Sequence, residues 1–271
     1  MRNRILGLTA AASWVTVFSL AAQTPAPQQT APPGLSVTEA PTAPAGSGGL
    51  NGGPAVPRGP APRLSNGKPD LSGIWMGGGP TADLAEGLAP GEKIPLLPEA
   101  EKLMAARQSK DDPEANCLPT GVPRIAPYPW RIVQTPTHIF FLFEGNIHSY
   151  RQIFIDGRKH PEDPDPTWYG HSIGRWEGNT LVVDTIGFND KFWFDFRGHP
   201  HTERLHTTER YTRKDLGTLV NEVTIDDPGA YSKPFKVTFT AHLRPGEELM
   251  EYICQENNQD VQHLQGPAGR P

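Results

Sequence analysis

The fold is decided by residues 171–186, which read HSIGRWE, then GN, then TLVVDTI. Gly-Asn is a two-residue pair that suits a primed β-turn, and strand-forming residues flank it on both sides. The turn sets the pairing, so Glu177 faces Thr180 and Ile173 faces Asp184. The sequence therefore predicts a β-hairpin with a defined register.

The sequence predicts three more β-hairpins. They are residues 137–155 around Gly145-Asn146, Leu205–Arg213 with Thr218–Ile225, and Phe235–Leu243 with Glu248–Cys254. A strand over Asp70–Met76 precedes them, and one short helix is predicted over Pro98–Gln108. Hairpins that follow one another without helices form an antiparallel meander, which must hide its edges. The prediction is an all-β, antiparallel up-and-down barrel of about nine or ten strands, with a two-sheet β-sandwich as the alternative.

Composition excludes several classes of protein. The 271 residues include 30 prolines and 28 glycines, too many helix breakers for a helical bundle. Two cysteines are too few for a disulfide-stapled miniprotein. The net charge of −5 gives no reason to expect a nucleic acid or an anionic membrane as partner.

The N-terminal region predicts export. Arg2 and Arg4 precede an apolar run that ends in small residues, so residues 1–22 are predicted to be a signal peptide. Residues 23–63 hold 10 prolines and 7 glycines and predict a disordered linker. The barrel domain is expected over residues 64–264, followed by a disordered tail over 265–271. A periplasmic or secreted protein is expected, with no stable membrane span after cleavage.

The two cysteines both lie inside the predicted domain. An exported protein meets an oxidising compartment, so a disulfide between Cys117 and Cys254 is the natural reading. Two buried free thiols are the alternative.

Two resemblances support this fold. Ser72-Gly73-Ile74-Trp75 resembles the Gly-x-Trp opening of lipocalins and their calycin relatives, which implies that Trp75 plugs the closed end of a barrel. Residues 67–75, 170–185 and 251–254 resemble a large group of uncharacterised exported bacterial proteins. That likeness implies export and a β fold, and it implies no activity.

The hairpin over residues 171–186 also indicates candidate catalytic residues. His171 and Asp184 share one face of it as diagonal neighbours, and a carboxylate beside a histidine is typical of a general base. The alternative is a polar pair on the solvent side of the barrel. His206 and Glu209 form a second candidate acid–base pair.

The densest histidine cluster follows residue 198. His199 and His201 point the same way in an extended chain, and His206 follows closely. These ligands suit Zn²⁺ or another divalent metal, although no zinc signature is present. The alternative is a loop whose histidines cap strands, so no cofactor is assigned with certainty.

The hairpin formed by Leu205–Arg213 and Thr218–Ile225 predicts polar groups inside the barrel. If Tyr211 points inward, Glu209 is an inward carboxylate, and Arg151 could be its partner. Such groups could orient a ligand or form a structural ion pair, and the sequence leaves both open. Glu251 is a further strand acid. The aromatic residues that could stack on a ligand ring include Tyr150, Trp168 and Trp193.

Three functions follow from these patterns. The first is the binding of a small organic molecule in an interior pocket of the barrel. The second is a barrel lyase, isomerase or hydrolase that uses histidine–carboxylate acid–base catalysis. The third is a structural secreted module on a proline-rich stalk.

Overall fold

The structure, a computed structural model, describes residues 55–125, 127–145, 149–256 and 258–269. The predicted signal peptide (residues 1–22) and residues 23–54 of the predicted linker lie outside the described residues. So does Asn146 of the predicted Gly145-Asn146 turn. The domain boundaries stay predictions.

The chain forms a closed barrel of nine strands that follow one another in chain order, and β1 closes it by pairing with β9. The strands are β1 Gly73–Gly77, β2 Trp130–Gln134, β3 His138–Phe143, β4 Tyr150–Phe154, β5 His171–Glu177, β6 Thr180–Ile186, β7 His206–Arg213, β8 Thr218–Asp226 and β9 Phe235–Leu243. The helices are α1 Pro98–Ala106 and the single turn α2 Asp260–His263, with 3₁₀ turns at Leu84–Gly87 and Ser109–Asp111. The predicted all-β barrel is confirmed.

The last predicted hairpin is wrong. Residues 248–254 form no strand, and β9 pairs with β8 on one side and β1 on the other. A sheet edge exposes unpaired backbone groups, so pairing with β1 satisfies the free edge of β9. The strand count is completed instead by β2, which the turn signals did not indicate.

One strand pair departs from the predicted antiparallel order. β4 and β5 run parallel and, within the described part of both strands, pair only at Ile153–Ser172 and Phe154–Ile173. Parallel neighbours need a crossover connection, which residues 155–170 supply. This connection covers the outside of the barrel next to β4, at the place that we call the seam.

The β5–β6 hairpin has the predicted register. Glu177 pairs with Thr180 and Ile173 pairs with Asp184. Leu181 and Val183 belong to the buried core, so the alternate residue Asp184 points to the outside of the barrel. Asp184 therefore lies on the outer face of the barrel wall.

Two hydrophobic clusters fill inward positions of the barrel. One surrounds Trp75, which is fully buried, donates its indole N–H to the Leu71 carbonyl at 3.0 Å, and lies under Arg213 at 4.9 Å. The other joins inward residues of β8 and β9 to Phe192 and Phe194. The role of Trp75 as a plug at one end of the barrel stays a prediction.

The predicted disulfide between Cys117 and Cys254 is present and links residues 137 positions apart. It holds the C-terminal segment, residues 248–256 and 258–269, against the loop that follows α1. Pro267 adds a β-bridge to Gln108 at the end of this segment. None of the helices in the described ranges has both the length and the apolar content needed to cross a membrane.

Candidate functional site

Three histidines and a carboxylate form a continuous hydrogen-bonded chain on the outside of the barrel. His171 Nδ1 lies 2.8 Å from His160 Nδ1, and His160 Nε2 lies 2.9 Å from Asp184 Oδ1. The other carboxylate oxygen, Asp184 Oδ2, lies 2.8 Å from His206 Nε2. We call His171, His160, Asp184 and His206 the imidazole chain. The predicted pair of His171 and Asp184 thus belongs to one site, with His160 between the two.

Adjacent strands supply three members of the imidazole chain and the seam connection supplies the fourth. His171, Asp184 and His206 occupy outward positions on β5, β6 and β7, because outward residues alternate with inward ones. His160 comes from the connection between β4 and β5. A parallel bridge between Thr167 and Phe188 fixes the later part of that connection.

The hydrogen bonds of the imidazole chain set the protonation of its four residues. The hydrogen bond from His206 holds the pKa of Asp184 at about 2, well below its usual range. The same bond raises the pKa of His206. Burial lowers the pKa of His171, and the neighbouring His160 and Arg158 side chains add to this effect. At neutral pH the site therefore combines an ionised carboxylate with a neutral His171.

A cleft of about 560 Å³ opens at the seam, immediately beside the imidazole chain. It lies outside the barrel wall because β4 and β5 pair over only two positions, which leaves the outer side of β4 facing the connection. We call it the seam cleft. Its lining residues are Pro119, Ser149, Tyr150, Gln152, Phe154, Pro161, Pro164, Asp165, Thr167, Trp168, Tyr169, Gly170, His171 and Ser172.

The seam cleft contains three of the predicted site residues. Tyr150 and Trp168, both predicted to stack on a ligand, line it together with His171. Tyr150 is 57% exposed, which is high for an aromatic residue on a strand. Prolines at three positions of the connection restrict its backbone, so the wall that carries Trp168 is preformed.

The interior polar groups that the sequence predicted also meet. Arg151 forms a buried ion pair with Glu209, and the Tyr211 hydroxyl donates to the other Glu209 oxygen at 2.6 Å. Arg151 also donates to Ser172 Oγ at 3.1 Å and to Thr185 Oγ1 at 2.9 Å. We call this group the interior network. Burial raises the pKa of Tyr211 well above its usual value, so its hydroxyl stays a donor.

The interior pocket of the barrel stays a prediction. Inward positions carry the interior network and the hydrophobic clusters, and the two clefts described for this chain both lie outside the barrel wall. Arg151, Glu209 and Tyr211 are each no more than 1% exposed. They therefore contact one another rather than an open cavity.

Several predicted site residues are not brought together. His206 points outward and Glu209 inward on the same strand, so they cannot act as a pair. Glu251 is exposed and lies in no strand. Trp193 is 5% exposed and lies under the Arg107 guanidinium at 4.6 Å, where it has little surface for a ligand.

The three histidines of the predicted metal site are separated. His206 belongs to the imidazole chain, His201 packs against Phe192 with ring centroids 3.8 Å apart, and His199 Nδ1 lies 2.5 Å from Asp195 Oδ2. Burial lowers the pKa of His201 to about 4. The structure therefore does not bring His199, His201 and His206 together in one ligand set, and metal binding stays a prediction.

Among the described residues, one other group has metal-ligand spacing. Ligand atoms of Asp83, Asp195 and His199 lie within 4.8 Å of one another. However, Asp195 already accepts the Leu84 amide at 2.5 Å, and Asp83 accepts the Arg197 guanidinium at 2.8 Å. This group does not fit a divalent ion, because the Arg197 guanidinium already neutralises Asp83 and both carboxylates already accept hydrogen bonds.

A second cleft of about 540 Å³ lies under the C-terminal segment. It contains Tyr128, Phe196 and Tyr252 near Asp112 and Glu114. Arg124 is fully buried beside it and pairs with both carboxylates. We call this second cleft the C-terminal cleft. None of the predicted ligand-binding or catalytic residues lines it, although the disulfide residue Cys254 does.

Comparison with known proteins found no matching family model, no matching curated protein and no matching solved structure. The class is therefore defined by the fold and the site. It is a closed nine-stranded β-barrel whose seam carries an external cleft beside an imidazole chain.

Sequence reasoning missed His160, which joins His171 to Asp184. Strand periodicity cannot place a residue in an irregular connection, so no pairing rule reaches it. The available signal was the length of the connection over residues 155–170. Long connections in compact domains are usually functional, and this one contains a histidine.

Proposed function

We propose that this protein binds a small organic molecule with a flat ring in the seam cleft. The observation that carries the proposal is the combination of the aromatic rings of Tyr150 and Trp168 with the imidazole of His171 in one cleft. Ligand sites are mostly apolar clefts with a few placed polar groups, and a volume of about 560 Å³ lies within their usual range.

The polar groups of the cleft differ in their availability to a ligand. Tyr169 and Ser149 hydrogen-bond each other at 2.8 Å, and Ser172 Oγ accepts from Arg151. His171 uses Nδ1 toward His160 and has no described protein partner at Nε2. His171 is thus one of the polar groups that would orient a ligand carrying a hydroxyl or another polar hydrogen, together with Gln152, Asp165 and Thr167 of the same lining.

Stacking at the cleft has a physical basis. Phe154 already holds the His171 ring at a centroid distance of 5.2 Å and the Arg158 guanidinium at 3.7 Å. An aromatic ligand between Tyr150 and Trp168 would gain similar contacts, each worth about 1 kcal/mol beyond the buried area. The protein would work in an oxidising compartment, periplasmic or extracellular, which the Cys117–Cys254 disulfide supports.

Naphthol, a flat ring with one hydroxyl, tests this proposal. Titration followed by calorimetry and by the indole N–H resonance of Trp168 should show saturable binding. Trp168→Ala should weaken binding by about tenfold, because one aromatic stacking contact of about 1.4 kcal/mol is lost. Tyr252→Ala, which removes a ring from the C-terminal cleft, is the matched control and should leave the affinity unchanged.

Two results would count against the proposal. One is the absence of any saturable naphthol signal from Trp168. The other is binding that Tyr252→Ala weakens and Trp168→Ala does not, which would move the ligand to the C-terminal cleft. Native mass spectrometry of protein purified from its own host would then identify any retained molecule.

A further inference from the structure

The hydrogen bonds of the imidazole chain determine which ring nitrogens carry protons. Asp184 is ionised and can only accept, so His160 must donate to it from Nε2. The 2.8 Å contact between His160 Nδ1 and His171 Nδ1 needs one donor and one acceptor, and with one proton on each imidazole His171 is the donor. The remaining lone pair is on His171 Nε2.

We propose that the seam cleft is a catalytic site in which His171 Nε2 removes a carbon-bound proton from the molecule bound there. The class of reaction is a proton-shift isomerisation of a flat, conjugated carbonyl compound. This inference rests on the proposed binding function and adds a reaction to it. His171 is the catalytic residue, and His160 and Asp184 are positioning residues.

The proton movements balance without a co-reactant. The substrate C–H bond breaks, its electron pair delocalises into the carbonyl as an enolate, and the proton forms a bond to His171 Nε2. The proton on His171 Nδ1 can then pass to His160 Nδ1, which becomes an imidazolium 2.9 Å from the Asp184 carboxylate. Reversal of these steps returns a proton to a different carbon of the conjugated system.

The position of Asp184 explains why a second imidazole is useful. Asp184 pairs across the hairpin with Ile173 and is not hydrogen-bonded to His171 directly. His160 spans the gap, so positive charge can move away from the substrate toward the carboxylate. His206 holds the second carboxylate oxygen at 2.8 Å and keeps Asp184 oriented and ionised.

The groups around His171 suit a base that is neutral in the resting site. His160 and Arg158 face it from the seam connection, Asp184 lies behind His160 on β6, and Asp165 is in the same cleft wall. Burial lowers the pKa of His171 most, and the neighbouring His160 and Arg158 lower it further. Its lone pair is therefore free at neutral pH.

Nitrobenzisoxazole is the probe for this activity, because it is flat and reports base strength without a co-reactant. A base takes its ring C–H proton, the released electrons form a nitrile, and the N–O bond breaks to leave a coloured phenolate. His171→Gln should lower kcat/KM by about 100-fold, the usual contribution of a general base. His242→Gln, an exposed histidine on β9, is the matched control and should leave the rate unchanged.

Variants of His160 separate positioning from simple folding. His160→Leu should reduce kcat by about 100-fold. His160→Gln, whose amide can still accept from His171 and donate to Asp184, should lose only about tenfold. Both should still bind naphthol, because the rings of Tyr150 and Trp168 are unchanged, and both should shift the pH at which the rate rises, because no imidazole then lies beside His171.

Imidazole ¹⁵N spectra give a readout that a structural role would not move. Wild-type protein should show His171 protonated at Nδ1 and bare at Nε2, and His160→Leu should mix the two tautomers. Naphthol binding together with turnover that His171→Gln leaves unchanged would overturn this inference and leave the binding proposal intact. An Nε2-protonated His171 at neutral pH would also overturn it, whereas loss of naphthol binding would count against the proposed function itself.

Discussion

Arg151 on β4 and Glu209 on β7 form an ion pair inside the barrel, although two strands separate them in the sheet. Their side chains are 1% and 0% exposed. Arg151 reaches Glu209 by passing Ser172 on β5 and Thr185 on β6, each of which accepts one of its hydrogen bonds. The pair therefore ties together the strands on both sides of the seam.

Removal of one member of this pair should be costly. Arg151→Met leaves the Glu209 carboxylate buried without its charged partner, so we expect a loss of about 3–5 kcal/mol in the free energy of unfolding. Urea denaturation measures it. The double variant Arg151→Met with Glu209→Leu should lose less than the sum of the single variants, because no unpaired charge remains.

The exposed pair of Arg175 and Glu177 is the control for this experiment. Arg175 is 60% exposed, and Arg175→Met should leave the urea midpoint nearly unchanged. If Arg151→Met were equally harmless, the interior network would not hold the seam together.

The pH dependence of stability should reveal the bond between Asp184 and His206. The folded pKa of Asp184, about 2, lies below its ordinary value of 3.8, so its stabilising effect is present above 3.8 and is lost as the pH falls through about 2. The folded pKa of His206 is raised above 6.5, so its effect is present below 6.5 and is lost as the pH rises through the raised value. The bond should therefore stabilise most between about pH 4 and pH 6.5.

Asp184→Asn should consequently destabilise the protein most at about pH 5 and least at about pH 2. Chemical denaturation of both proteins across this range gives the difference directly. A difference that stays constant from acid to neutral pH would contradict the assigned protonation of the two groups.

Gly170 should control the shape of the seam. It has a φ of +63°, and a Cβ there would lie 2.7 Å from the Ile186 carbonyl oxygen, so the connection approaches β6 too closely for a side chain. Gly170→Ala should lose about 1–3 kcal/mol of stability through backbone strain and this clash. It should also weaken naphthol binding, because Trp168 and His171 flank it.

Gly157 supplies the matched variant in the same connection. Its φ is +82°, but nothing lies within 4 Å of a Cβ placed there. Gly157→Ala should therefore cost only the strain of its backbone, about 1 kcal/mol, and leave naphthol affinity alone. Equal effects of the two variants on binding would show that Gly170 does not shape the seam cleft.

The disulfide should hold the C-terminal segment in place. Replacement of Cys117 and Cys254 by serine opens a loop of 137 residues in separation, and loop-closure entropy predicts a loss of about 4–5 kcal/mol. Residues 248–254 have no strand pairing, so this segment should become the first site of proteolysis. Limited proteolysis with and without reductant, followed by mass spectrometry, measures the effect.

The far-ultraviolet circular dichroism of the serine variant should keep the β signal of the barrel, because no barrel strand contains either cysteine. First cleavage within β5–β9 rather than after residue 247 would show that the disulfide supports the barrel instead of the segment.

The sequence by itself determined the features that depend on near neighbours. The Gly178-Asn179 turn and the period of two along each strand predicted the β5–β6 register. Strand alternation predicted that Glu209 and Tyr211 share one face, and the structure shows that this face points inward. The all-β barrel followed from the same hairpins. These features could be predicted because a short turn leaves few alternative pairings.

Only the tertiary structure decided what the distant segments do. β9 pairs with β1 instead of residues 248–254, β4 and β5 run parallel, and His160 joins His171 to Asp184. Each of these contacts depends on the closure of long loops and on which edge remains free once the hairpins have formed. For that reason the residues of each hairpin determine how its strands pair, whereas the seam cleft and its imidazole chain depend on how the barrel closes.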